Sequence, residues 1–188
     1  MASSIVPTYQ LHVTLQGSDP PIWRKIQVPA TIPLDRLHRV LQIAMGWDDD
    51  HLHQFIAGKK RYGIPSPGDF VRVHDERQAR LYRVLMKPRQ RMLYEYDFGD
   101  GWMHEILLEE VLRPEQALEH PVCIAGERAC PPEDCGGIWG YYELLEIARD
   151  PEHPEHEDRL EWLGEDFDPE AFDREAVNRW LQQMDGTA

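Results

Sequence analysis

From Tyr9 to Gln16 (YQLHVTLQ), apolar and polar residues alternate, which puts Leu11, Val13 and Leu15 on one face at period two. GSDPP turns the chain into a second run, Ile22 to Val28 with WRKIQV at its centre, so the opening predicts an antiparallel hairpin. Pro29 closes that strand. The period then changes: Leu34, Leu37, Val40, Leu41, Ala44 and Met45 recur at helical spacing, with Pro33 suited to the first turn and Gly46 to a C-terminal cap. Leu52 to Ala57 and Lys60 to Ile64 read as two further strands about a Gly58-Lys59 turn, with His51 and His53 on one strand face and Leu52 and Gln54 on the other. Strand character returns at Phe70 to Val73, and Leu81 to Met86 reads as helix or strand. Met92 to Tyr96 and Trp102 to Leu112 then form a hairpin across DFGDG.

Beyond Arg113, prolines, glycines and acids replace alternation. Residues 114–140 read as an irregular loop holding all three cysteines. Helices are expected over Tyr141 to Ala148 and Pro154 to Leu163. In the last one Phe172, Ala176, Val177, Trp180, Leu181 and Met184 make an apolar stripe, opened by Asp168-Pro169-Glu170. The expected fold is α+β: a mixed, mostly antiparallel sheet packed on one long helix, followed by an acidic helical part. One domain over 1–188 is expected, with a sheet-and-helix core at 1–113 and the cysteine loop and acidic helices at 114–188.

Charge sharpens this division. Residues 1–114 carry 15 Lys and Arg against 14 Asp and Glu, whereas residues 115–188 carry 5 against 20, so the net charge of −14 resides in the last part. Affinity for nucleic acid comes largely from cations that neutralise phosphates, which argues against direct DNA binding. No apolar run approaches a membrane span and the first residues lack a signal-peptide pattern, so a cytoplasmic protein with no membrane partner is expected. An odd number of cysteines points to free thiols or metal ligation rather than bridges.

The segments WRKIQVP, LHRVLQIAMGWDDDHLHQF, YEYDFGDGWMHEI, PVCIAGERACPPEDCGGIWGYYELLE, DPEHPEH and WLGEDFDPEAFD, in this order, resemble the plasmid pRi-type Orf-three-like family, also labelled TnpR passenger-like. The resemblance spans roughly residues 8–183 and implies an accessory protein associated with mobile elements, with no defined activity. A recombinase chemistry finds no residues to carry it. The serines (Ser3, Ser4, Ser18, Ser66) fall in tail or loop, and the last tyrosines, Tyr141 and Tyr142, lie in the acidic part.

Candidate chemistry concentrates in two places. Cys123, Cys130 and Cys135, with His120 or His104 as the fourth ligand, offer a tetrahedral zinc set; the plainer reading makes them buried thiols and a turn residue. In the hairpin, His104 is a candidate catalytic base that Asp97 or Asp100 would orient, or else a hydrogen-bonded core residue beside turn-capping aspartates. Trp102, Trp139 and Tyr141, with Glu133 and Asp134, are the candidate partner or ligand groove, or alternatively the seam packing the tail on the sheet. Gly136 and Gly137 offer amides to an anion, or simply a tight turn. The leading expectation is a non-enzymatic accessory or binding module whose acidic part meets a basic surface on a partner protein. The alternative is a metal-dependent hydrolase-like enzyme, with zinc as its cofactor, centred on the YDFGDGWMH hairpin and the cysteine loop. Both require those two segments to fold against each other.

Overall fold

A computed structural model describes residues 5–68, 70–164 and 166–184; Ser3 and Ser4 lie outside them. The fold is α+β, with an eight-stranded sheet that is antiparallel except at one pair. Its strands are β1 (Thr8–Leu15), β2 (Trp23–Pro29), β3 (His53–Ala57), β4 (Lys60–Gly63), β5 (Val73–Asp75), β6 (Arg91–Tyr96), β7 (Trp102–Leu112) and β8 (Val122–Glu127). They are ordered β5-β4-β3-β6-β7-β1-β2-β8, and only β4 and β5 run parallel. Three hairpins (β1–β2, β3–β4 and β6–β7) therefore stand side by side, each closed by a turn read from sequence.

Helix α1 (Leu34–Met45) covers one face, because its apolar positions recur with the helical period while those of the strands recur every second residue. Leu34, Leu37, Val40 and Leu41 are fully buried against Leu11, Val13, Ile26, Ile106 and Leu108, and each contributes about 1.5–3 kcal/mol through burial. Gly46 ends the helix in the left-handed region (φ 87°), where its N–H reaches the Gln42 carbonyl at 2.8 Å. The opposite face stays polar and is tied by cross-strand ladders: Gln27 to Gln10, Gln10 and Lys25 to Glu109, and Arg91 to Glu105.

The segment after Arg113 departs from expectation. Val122–Glu127 is a strand, not loop, and pairs with β2 across a register shift between Lys25 and Ile26. Helix α2 (Leu81–Val84) is a single turn, and β5 begins at Val73, later than the Phe70 expected. Helix α3 (Gly137–Arg149) starts four residues early; α4 (His156–Leu163) follows, and α5 (Arg174–Gln183) is capped by Asp173 rather than Asp168. Asn178 of α5 both accepts from the Cys123 N–H and donates to the Cys123 carbonyl, at 2.8 Å each, on the outer edge of β8.

Arg24 ties these parts together. It sits at an inward position of β2 and is almost fully buried, with no ion pair to a carboxylate among the described residues. Its guanidinium instead donates to the carbonyls of Ala44, Trp23, Glu127 and Arg128, all at 2.8 Å, and lies 4.0 Å over the Phe172 ring. The C-terminal end of α1, the end of β8 and the acidic tail thus share one cation, whose pKa burial lowers.

Candidate functional site

Three turns rich in carboxylates meet at one end of the sheet: Trp47–His51 after α1, Asp97–Gly101 between β6 and β7, and Pro131–Gly137 before α3. In each, one aspartate adopts the left-handed conformation (Asp49 φ 65°, Asp97 φ 54°, Asp134 φ 59°), which its short polar side chain tolerates. The β6–β7 turn closes on itself: Asp97 Oδ1 accepts from the Gly99 N–H at 2.9 Å, and its carbonyl accepts from the Gly101 N–H at 2.6 Å. The turn before α3 packs directly on it. Gly136 N–H donates to Asp100 Oδ2 at 3.0 Å, and a methyl group on Gly137 would lie 2.4 Å from the Asp100 carbonyl oxygen, so only glycine fits there. The Gly-Gly amide thus serves an internal carboxylate. Tyr96 donates to Glu133 Oε1, Asp48 N–H reaches Glu133 Oε2 at 3.2 Å, and Trp47 Nε1 donates to the Pro131 carbonyl at 2.9 Å. The aromatic-acidic hairpin and the cysteine-bearing segment therefore form one acidic cup.

His51 occupies the cup. Its Nδ1 lies 3.7 Å from Asp97 Oδ2 and its Nε2 3.3 Å from Asp134 Oδ1, with the ring edge-on to Tyr96. One ligand atom from each of His51, Asp97 and Asp134 falls within 4.8 Å of the others. This residue escaped the sequence reading, which gave His104 the role of Asp97's partner and set His51 beside His53 on a strand face. The strand begins only at His53, whose ring turns inward.

His53 belongs to a second, buried cluster. It stacks on His38 of α1 (centroids 3.4 Å apart, planes 7° off parallel) and its Nε2 contacts buried Glu76 at 2.8 Å. Gln42 Nε2 donates to the Tyr94 hydroxyl, Tyr94 lies 2.8 Å from His38 Nδ1, and His38 Nε2 lies 2.6 Å from Asp49 Oδ1. Burial first, and His53 second, hold the His38 pKa below its ordinary value, so His38 is neutral. Protons then run one way, from Gln42 to Tyr94 to His38 to Asp49, and leave each group partnered.

The other candidates go elsewhere. His104 faces the core between Tyr94 and Leu15 across the sheet, donates from Nδ1 to the Trp102 carbonyl at 3.1 Å, and has a buried Nε2 with no partner. Desolvation takes its pKa down from 6.5 to about 4, and its side-chain hydrogen bond goes to the Trp102 carbonyl rather than to Asp97 or Asp100. Among the described residues, no group of three ligand atoms within 4.8 Å includes a cysteine, His104 or His120. The strand places Cys123 beside Asn178, Cys130 is buried 3.1 Å from the Met45 sulfur, Cys135 turns toward the Gly137 carbonyl, and His120 lies apart beside Pro121 and Arg80. Burial raises all three thiol pKa values, that of Cys130 to about 11 and that of Cys135 to about 12. The groove expected from Trp102, Trp139 and Tyr141 does not form: Trp102 and Tyr141 are core residues, whereas Trp139 is 85% exposed on α3. Glu133 and Asp134 do reach the cup.

A groove of about 750 Å³ lies next to the cup instead, at the β3–β4–β5 end of the sheet. Leu52, Ile64, Phe70, Val71 and Phe98 line it, and all five are exposed. Leu52 follows His51 and Phe98 follows Asp97 in the chain, so the same two turns supply residues to cup and groove.

Fold and site together define an α+β protein whose long hairpins carry an acidic cup at one end of the sheet. Residues 7–176 match the model of the plasmid pRiA4b ORF-3-like proteins, and the chain belongs to that family. It is 39% identical over 187 residues to the uncharacterized protein y4hQ of Sinorhizobium fredii, covering 98% of this chain and 94% of the relative. The crystal structure of MM3350, a protein of unknown function from Methanosarcina mazei Go1, superposes with a TM-score of 0.81 at 40% identity, covering 91% of this chain and 97% of that one. Among the described residues no helix is long and apolar enough to cross a membrane.

Proposed function

We propose that the protein is a binding module that docks a segment of a partner protein, apolar side chains flanked by cationic ones, in the groove beside the acidic cup. The gathering of Leu52, Ile64, Phe70, Val71 and Phe98 along one concavity carries this reading, since exposed apolar side chains grouped in a groove mark interaction sites more than scattered ones do. Covering one such side chain contributes about 1.5–3 kcal/mol, so three or four suffice for a reversible complex. The net charge of −14, with carboxylates on the same two turns, favours a basic partner and steers its approach.

The test is fluorescence anisotropy with three labelled peptides matched in length: basic-apolar, acidic-apolar and basic-polar. The basic-apolar peptide alone should bind, more weakly as salt rises to physiological levels, and lose affinity at least about tenfold to Phe98→Ser or Leu52→Ser. Equal binding of all three peptides, or indifference to both substitutions, would refute docking in this groove.

A further inference from the structure

We infer that the acidic cup is a binding site for a divalent transition-metal ion of the zinc type, with His51, Asp97 and Asp134 as its protein ligands. The inference is independent of partner docking. Three observations carry it: a ligand trio drawn from three turns, the engagement of Glu133, Asp100 and Asp49 with other partners, and an Asp97 oxygen aimed at the imidazole across a distance too long for a hydrogen bond.

Ligand atoms around a tetrahedral zinc lie about 3.4 Å apart, given metal–ligand bonds of about 2.1 Å. His51, Asp97 and Asp134 already present theirs within 4.8 Å of one another, so small side-chain rotations bring them onto one ion. Three of the neighbouring carboxylates are otherwise occupied. Glu133 uses both oxygens on Tyr96 and the Asp48 amide, Asp100 holds the Gly136 amide, and Asp49 holds His38. The carboxylate oxygens that face the ring of His51 are Asp97 Oδ2 and Asp134 Oδ1.

Asp97 points most directly to a ligand. The residue is only 9% exposed, its Oδ1 is satisfied by Gly99, and its Oδ2 is aimed at His51 Nδ1 across 3.7 Å, longer than a hydrogen bond. An ion between this oxygen and the imidazole would replace one long contact with two short metal–ligand bonds. One nitrogen and two oxygens suit zinc, manganese or ferrous ion better than magnesium or calcium, which take oxygen alone. Asp134, on the solvent side, leaves room for water or an exogenous ligand on the ion. The buried His38–Asp49–His53 group, although similarly compact, has its nitrogens and oxygens committed to the Gln42–Tyr94–His38–Asp49 chain and to Glu76. It is not the site.

The ion would also join the turns that supply Leu52 and Phe98 to the groove, so metal would firm that wall. The experiment is calorimetric titration of untagged, metal-stripped protein with Zn²⁺, with Mg²⁺ for comparison, on the natural chain and on Asp134→Ala and His51→Gln. Far-ultraviolet circular dichroism checks that both variants keep the fold; Asp134 is exposed enough for its removal to be tolerated. One Zn²⁺ per chain is expected, with a raised melting temperature, at least tenfold weaker binding in each variant, and no comparable Mg²⁺ binding. Co²⁺ in place of Zn²⁺ should give visible bands without thiolate charge transfer. Sub-stoichiometric Zn²⁺, affinity unchanged in both variants, or a thiolate band would each overturn the assignment. The peptide titrations are run without metal, so failure here leaves groove docking to be judged on its own data.

Discussion

Acid should weaken this protein through His104. In the unfolded chain the imidazole titrates near its ordinary 6.5, while in the fold desolvation, reinforced by Arg24, lowers its pKa to about 4. The folded state therefore binds this proton less tightly than the unfolded one. Its contribution to stability is complete above pH 6.5, shrinks as the pH falls below that value, and stops changing below about 4. At about 1.36 kcal/mol per pKa unit the full loss is about 3.4 kcal/mol, of which about 2 kcal/mol has gone by about pH 5. His104→Phe removes the titrating group and the unpartnered Nε2 while keeping an aromatic ring against Trp47 and Tyr94. Urea unfolding of both proteins at about pH 8 and about pH 5 isolates the effect, since every other titratable group is common to the two. The natural protein should lose about 2 kcal/mol more than the variant between these two conditions. Parallel losses would show that His104 is not held neutral by the core.

Substitutions at two further positions test the packing that positions the cup. Arg24→Met leaves one buried and three partly buried carbonyls without their donor and should cost about 3 kcal/mol in urea unfolding; Arg24→Lys should cost nearly as much, because one ammonium cannot reproduce the fork, and a lysine variant within about 1 kcal/mol of the natural protein would contradict this. Gly140→Ala should destabilise by about 1–3 kcal/mol in the same assay although alanine favours helix by about 1 kcal/mol, since the added methyl would lie 2.0 Å from the Cys135 carbonyl oxygen; a gain in stability would show that the turn before α3 yields easily.

The hairpins and α1 were legible because their periods differ and each ends on a residue with one backbone use, as Gly46 does. β8 was not. Its residues, VCIAGE, alternate weakly, follow a proline, include a glycine, and pair across a register shift, so the strand exists through its contact with β2 and Asn178 rather than through local preference. Arg24 was hidden for a related reason: a charge at an inward position reads as surface until the carbonyls that receive it are assembled. The meeting of the acidic hairpin with the cysteine segment was foreseen, but the histidine between them was not. His104 shares a strand with the turn and looks adjacent, whereas His51 reaches Asp97 only because β3 pairs with β6 in the register His53 opposite Tyr96. Ligands drawn from three distant turns leave no spacing pattern for a sequence to display.

The two ends of the sheet are treated differently, and Asn178 shows how. Its carboxamide offers a donor and an acceptor to the outer edge of β8, as the backbone of a ninth strand would, and so ends the ladder with a side chain. A rim sealed this way resists growth by strand addition from a second chain, and places any assembly through backbone pairing at the far margin, along β5.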